Sequence, residues 1–495
     1  MKKQMGIVVI GLISVFLLFG SSFAWQGRMA GMGDPYGLVQ DESDMLIHPA
    51  MIMNSSGTRF YTHYRFTYTD VMDWDYEWDL GAFGFTDFFQ ASGDEYRHEA
   101  LIGSAFNVGT GRMGIFLTYE NQSGDYDGKV DSIRYPGDLD FDLESDKSDF
   151  AFSFLFGFPI DCTAIGFEAG LAYHNEENKV SQEWAGLNAT NPIYNMTIFP
   201  TFWGNTSPYM IPYDSEYMET FLKASAASEL GCNADFGLTL NGGYIFFGDN
   251  ELYYKDDLYI PAFDVEMDGD VEGWSIGGDF WFRYKIDDSF SLPFLVSASY
   301  QEKVRDGDDD NNILGDFDYE HKEVTLNIEA GGGLDIALND TSKIASGIYY
   351  QYTENNNDFS LDMFSMSSWT DMDRIPDYDE HRITLKLAFE KDMSSTVGFR
   401  AGLNCFYGWA DWDYKNDWMS GAIKESVSMD GDLWGIGLTL GGTIKIDPMT
   451  IEPFIGFAYQ ETNLDGDGDL LGVIDIEGDH ERNQWLVTTG LSILF

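Results

Sequence analysis

The chain has 495 residues, with 83 acidic against 28 basic side chains, a formal net charge of −55 and 16% aromatic residues. That charge argues against nucleic acid as a partner and leaves cations, basic proteins and divalent metals. The length allows one large domain or two or three smaller ones; no Pro/Ser-rich linker or shift to helical periodicity divides it, so one domain is expected.

Lys2 and Lys3 precede an apolar run from Met5 to Phe19 and then Ser22-Phe23-Ala24. This is the pattern of a secretory signal peptide over residues 1–24, with the mature chain starting at Trp25. The run is too short for a retained membrane helix, and no other run approaches the needed length. A place in a membrane therefore requires a closed barrel, because open sheet edges cannot be satisfied in lipid.

Residues 25–57 precede the first strand and are expected in the periplasm or against the lumen. Ala30-Gly31-Met32-Gly33 is followed by Asp41-Glu42-Ser43-Asp44 and then by Ile47-His48-Pro49-Ala50. This resembles the N-terminal segment of the FadL-type hydrophobic-compound transporter family, where a Gly-rich start leads to an acidic-Ser stretch and an Asn-Pro-Ala-Gly element. The spacing from Ser43 to Pro49 matches; His48 stands where that family has Asn, and Met51 where it has Gly. The resemblance implies a segment folded against a barrel interior.

From residue 58 the chain alternates apolar and polar residues with a period of two, the signature of strands. Sixteen windows are expected: 58–70, 97–108, 112–122, 148–159, 163–175, 216–229, 234–247, 272–286, 290–303, 320–337, 342–354, 379–391, 395–410, 431–446, 449–462 and 482–495. Short connections centred on Thr110, Ile160, Cys232, Asp287, Asn339, Asp392 and Asp447 alternate with long ones, and 74–89 is the place where a further hairpin fits. The last strand, from Gln484, carries no charge and ends on Phe495. It resembles the closing strand of a bacterial outer-membrane β-barrel, where a terminal Phe is read by the barrel-insertion machinery. The expected fold is all-β: a transmembrane antiparallel up-and-down β-barrel of about 16 strands over residues 58–495, with short periplasmic turns and long acidic extracellular loops. Apolar faces then meet lipid and polar faces meet the lumen.

The lumen face carries both signs. Arg65, Lys223, Arg283, Lys285, Arg382, Lys386 and Arg400 are set against Glu99, Glu120, Glu168, Asp279, Glu329 and Glu452. They form either structural ion pairs between neighbouring strands or a polar ladder that guides solutes. The third long connection is different: from Val180 to Met210 its only charge is Glu183. Trp184, Tyr194, Phe199, Phe202 and Trp203 make it a candidate constriction loop, since such a segment is a liability outside.

Surplus acid falls in the long connections. Asp465, Asp467 and Asp469 have the alternate-carboxylate start of a calcium loop, and Asp306, Asp308 and Asp310 are further candidates for a divalent ion. The EF-hand Gly and Glu are missing, so weak Ca²⁺ or Mg²⁺ binding is the most they support. His98, His321, His381 and His480 recur at the loop-to-strand junctions, placed for rim ion pairs or for lipopolysaccharide phosphates. Cys162 and Cys232 fall at neighbouring short turns, either as a disulfide or as unpaired small residues; Cys405 falls on an apolar face.

No nucleophile elbow, P-loop, HExxH, dinucleotide fingerprint or haem-attachment motif occurs, so no enzyme and no tightly held cofactor are expected. The expectation is a channel in the outer membrane of a Gram-negative bacterium, passing small solutes with cations favoured. Two alternatives stand beside it. One is a FadL-like carrier of hydrophobic or aromatic compounds. The other is a barrel sheath around a multihaem cytochrome. A homo-oligomer is compatible with each.

Overall fold

The computed structural model describes Met32 and residues 42–55, 57–80, 85–132, 138–185, 213–231, 233–254, 265–309, 317–363, 372–418, 423–447, 449–470 and 474–494. Residues 1–24, where the sequence leads one to expect a signal peptide, lie outside the described residues, as do Cys232 and the terminal Phe495. Sixteen antiparallel strands, each pairing with its chain neighbour, close into a barrel through β1 and β16. In chain order β1 is Arg59–Leu80, β2 Phe85–Val108, β3 Gly111–Ser132, β4 Asp138–Ile160, β5 Thr163–Ala185 and β6 Tyr213–Leu230. Next come β7 Ala234–Tyr254, β8 Val265–Lys285, β9 Phe290–Asp309, β10 Phe317–Asn339 and β11 Ser342–Met363. The last five are β12 Met372–Asp392, β13 Val397–Trp418, β14 Ile423–Ile446, β15 Met449–Leu470 and β16 Ile474–Leu494.

Local chemistry sets the tight turns at one end. Gly109 (φ 62°) and Asp161 (φ 53°) adopt the left-handed backbone that a two-residue hairpin requires. Asn339 Oδ1 accepts the Thr341 N–H at 2.9 Å, and Asp287 Oδ1 accepts the Ser289 N–H at 2.8 Å. These local side-chain bonds stand in for the ladder at the turn.

The alternation fixes which face is which. Along β11, Ile344, Ile348 and Tyr350 are exposed outward while Ala345 and Tyr349 are buried inward. An apolar outer wall including Leu222, Leu240 and Ile348, each more than 60% exposed, matches hydrocarbon and not water. Toward the long-connection end that wall finishes in aromatic residues. Tyr459 lies between Trp434 and Trp485, with ring centroids 5.3 and 4.8 Å away. Tyrosine hydroxyls there donate to carboxylates: Tyr459 to Glu461 at 3.0 Å, Tyr407 to Asp432 at 2.6 Å and Tyr68 to Asp94 at 2.5 Å. Amphipathic rings with an apolar body and a bonded polar tip suit a membrane interface.

The strands are far longer than the alternation predicts. β2 and β14 each have 24 residues, and the shortest, β6, has 18. At about 3.3 Å per residue a 22-residue strand is roughly 70 Å long. Even tilted by about 40°, it stands well clear of an apolar band of about 25 Å. The stretches expected as long loops are therefore mostly strand. No extra hairpin forms at 74–89; β1 and β2 run on through it to Leu80 and Phe85.

Candidate functional site

Two short 3₁₀ turns, Glu42–Leu46 and Pro49–Asn54, pack inside the barrel against β3 to β6. Pro49 opens the second turn, where its missing N–H costs nothing. Four anchors hold the segment. Lys223 Nζ on β6 donates to the Leu46 carbonyl at 2.8 Å. His48 Nδ1 and the Thr239 hydroxyl on β7 lie 2.5 Å apart. The Ala50 N–H donates to Ser225 Oγ at 2.6 Å, and Arg112 Nη2 donates to the Gly57 carbonyl at 2.7 Å.

Small residues on the lumen face make room for these contacts. Gly157 on β4 and Gly166 on β5 face each other across the ladder. A Cβ at Gly166 would overlap the backbone of Pro49 and Ala50, and one at Gly157 would overlap the Ile52 side chain. Above and beside this seat, Met32, Met45, Met51 and Ile52 join Phe116, Leu155 and Trp281 in one buried apolar cluster. The part of the short-turn half that the N-terminal segment occupies is thus apolar, while ion pairs such as Arg400–Glu452 and Arg283–Asp335 stand on other strands of the same half. The sequence led us to expect a polar lumen face throughout; Leu101, Phe116 and Leu155 depart from it because they meet the N-terminal segment rather than water.

Burial, with Lys223 nearby as a second cause, pushes the His48 imidazole down to about 4. A released segment carries an ordinary histidine that titrates near ~6.5. The His48 contribution to docking is therefore fully present above that value, weakens as pH falls below it, and is lost as pH drops through about 4. Protease cleavage of residues 42–54 in the folded barrel is expected to begin on this acid limb. A His48→Gln variant whose cleavage shows the same acid limb would refute the assignment.

The thirteen lumen candidates all sit on the inner face. Arg65 pairs with Glu99 at 3.5 Å, and Glu120 with Arg97 at 3.0 Å. Glu168 pairs with Lys223 at 3.0 Å, so this pair also holds the N-terminal segment. Arg283 meets Asp335 at 3.6 Å, Arg382 meets Glu380 at 2.7 Å and Lys386 meets Glu329 at 3.6 Å. Arg400 bridges Glu390 and Glu452, both at 2.9 Å. Asp279 lies in register with Thr239 and Ser297. Lys285, on the same face, meets Asp235 at 2.7 Å.

The other candidates fare differently. Trp184 is strand rather than loop, since β5 continues to Ala185 and pairs Trp184 with Leu139. Tyr194, Phe199, Phe202 and Trp203 lie outside the described residues. Asp306 and Asp308 are on β9 and Asp465, Asp467 and Asp469 on β15, extended rather than looped. Asp310 is outside the described residues, and among those described no three His, Cys, Asp or Glu side chains converge as metal ligands. His98 and His381 face outward beside Tyr64 and Tyr350, whereas His321 and His480 are buried inward. Cys162 and Cys405 carry free thiols.

One group was not anticipated. Glu176 on β5, Lys303 and Arg305 on β9 and Glu323 on β10 form a buried charge cluster in the long-connection half. The sequence signal was present as Lys303-Val304-Arg305, two cations of one parity, but lay partly in the stretch taken for loop.

An autotransporter β-domain family model matches residues 325–489, one third of the chain. No curated protein matches the sequence. Among solved structures, the Pseudomonas putida toluene transporter TodX is 11% identical, with 95% of this chain and 98% of that chain covered at a TM-score of 0.36. A Pseudomonas aeruginosa FadL homologue is 9% identical, with 96% and 99% covered and a TM-score of 0.39. The β-domain of the Bordetella autotransporter Brka is 10% identical, with 61% and 95% covered and a TM-score of 0.28. The chain is a sixteen-stranded closed barrel of the outer-membrane type. At these identities and TM-scores the likenesses carry no argument about what passes through it.

Proposed function

We propose that this chain is an outer-membrane transport protein, closed at rest by its own N-terminal segment, that passes small apolar or amphipathic solutes. The observation that carries this reading is the methionine-rich apolar cluster inside the lumen, where Met32, Met45, Met51 and Ile52 meet Phe116 and Trp281. Flexible thioether side chains adapt to irregular apolar shapes. An open cation porin needs a wet, polar passage, whereas the N-terminal segment fills part of this lumen with apolar side chains. The same segment occupies space that a sheathed cytochrome would need. In this reading residues 1–24 direct export, and lipopolysaccharide surrounds the aromatic rim.

Planar-bilayer recording and calorimetry test the proposal together. The intact barrel is expected to be silent, and removal of residues 42–54 to yield discrete current steps. A short alkylbenzene titrated into the detergent-solubilised barrel is expected to bind with a negative heat-capacity change, the mark of apolar burial. Large cation-selective steps from the intact protein would overturn the proposal in favour of an open porin.

A further inference from the structure

The charge cluster in the upper lumen joins strands that are not neighbours. β5 and β9 are separated along the wall by β6, β7 and β8. Four inter-strand steps of about 4.8 Å make that path roughly 19 Å. Yet Glu176 Oε2 reaches Arg305 Nη2 at 2.6 Å and Lys303 Nζ at 3.3 Å. The side chains span the inner face of β6 to β8, with Lys303 Nζ 5.4 Å from the ring centre of Tyr217 on β6.

Each end of the bridge is anchored by its own ladder. Lys303 and Glu323 are register partners on β9 and β10, with Nζ 2.9 Å from Oε2, and Arg305 Nη1 is 2.9 Å from Glu323 Oε1. On the other side Lys147 is the register partner of Glu176, 3.4 Å away, and the Tyr217 hydroxyl donates to Glu176 at 3.1 Å. The β7–β8 register breaks between Ile245 and Asn250, and Ile245 and Val271 pack with Tyr217 in a buried cluster beside the bridge. β7 and β9 also approach each other across β8.

Water would keep such charges wet in an open pore. Arg305 is instead 2% exposed and Glu176 7%. Desolvated charges in mutual contact are costly to separate, so a solute that parts them meets a barrier. This barrier is not the N-terminal segment. Gly166, which seats that segment, and Glu176 are ten residues apart on β5, roughly 33 Å along the strand at about 3.3 Å per residue.

We infer that the Glu176–Arg305–Lys303–Glu323 bridge is a second barrier, in series with the N-terminal segment, and that the two enclose a compartment between them. The inference rests on the transporter reading above.

Four refolded proteins recorded in planar bilayers decide it: wild type, the 42–54 deletion, Glu176→Gln, and the two changes combined. Wild type and Glu176→Gln alone are expected to be silent. The deletion alone is expected to give small steps, and the combination steps at least threefold larger. Equal steps from the deletion and the combination would overturn the second barrier while leaving the transporter reading intact. Silence from both would overturn the transporter reading itself. If Glu176→Gln does not insert, Arg305→Lys in the deleted barrel serves instead, since a lysine keeps the charge but not the two-pronged contact. Steps larger than those of the deletion support the bridge, and unchanged steps refute it.

Discussion

A leucine in place of Gly166 is expected to leave the barrel folded and to unseat the N-terminal segment. Gly166 is buried on the inner face of β5, and a Cβ there would run into the backbone of Pro49 and Ala50. Backbone cannot rotate away as a side chain can. Overpacking of this kind costs about 1–3 kcal/mol, and only the docked state bears it. The strand ladder does not bear it, because the new side chain enters the lumen and every β4–β5 hydrogen bond stays in place. Docking also loses its geometry: the Ala50 N–H bond to Ser225 and the His48 contact with Thr239 depend on where the second turn sits. Two readings check this. Protease cleavage of residues 42–54 should rise at neutral pH with the barrel's heat-stable gel mobility unchanged, and current steps should appear in bilayers. Gly157→Leu should show the same effect more weakly, since a Cβ there meets the side chains of Ile52 and Met53 rather than backbone. A stronger effect at Gly157 than at Gly166 would show that the seat is not built as described.

The sequence made the faces legible before it made the strands legible. Apolar residues at every second position of β12, from Ile383 to Phe389, and of β13, from Val397 to Leu403, mark the lipid wall, where hydrocarbon favours them. Beyond the hydrocarbon band that demand disappears. The outward positions of β9 then read Glu302, Val304, Asp306 and Asp308, and the alternation fades while the strand continues. Glu176 and Arg305 therefore fall outside the expected strand windows, and their bridge leaves no mark in the alternation. The histidine repeat failed for a related reason. Arg97-His98 and His321-Lys322 look alike as short motifs, but strand phase puts His98 on the outer wall and His321 in the lumen. The seat at Gly157, Gly166 and Ser225 had no signal of its own. Small residues on a lumen face acquire meaning only once something is known to lie against them.

Replacing Arg400 with methionine is expected to cost the barrel about 3–5 kcal/mol, the usual penalty for removing one partner from a buried ion cluster. Arg400 is 5% exposed, with Nε and Nη1 each 2.9 Å from the carboxylates of Glu390 and Glu452. Its loss leaves two carboxylates facing each other across one guanidinium-sized space in the short-turn half of the lumen. Arg400→Lys should fall between the two, because one ammonium cannot serve both carboxylates in the same geometry. Methionine at both 400 and 452 should recover part of the loss by removing one of the stranded acids. The exposed pair between Lys179 and Glu177, 2.8 Å apart with the lysine side chain 55% exposed, provides the contrast: Lys179→Met should cost under about 1 kcal/mol. Urea unfolding of the folded barrel in lipid vesicles measures all four. The same variants separate the two meanings open to the lumen charges. If they stiffen the wall, Arg400→Met moves the unfolding midpoint and leaves the ion selectivity of the 42–54 deletion unchanged. If they guide solutes, selectivity shifts while the midpoint holds. The burial of Arg400 and the closeness of both carboxylates favour the first, since a group that guides solutes must be able to release its partners to meet one.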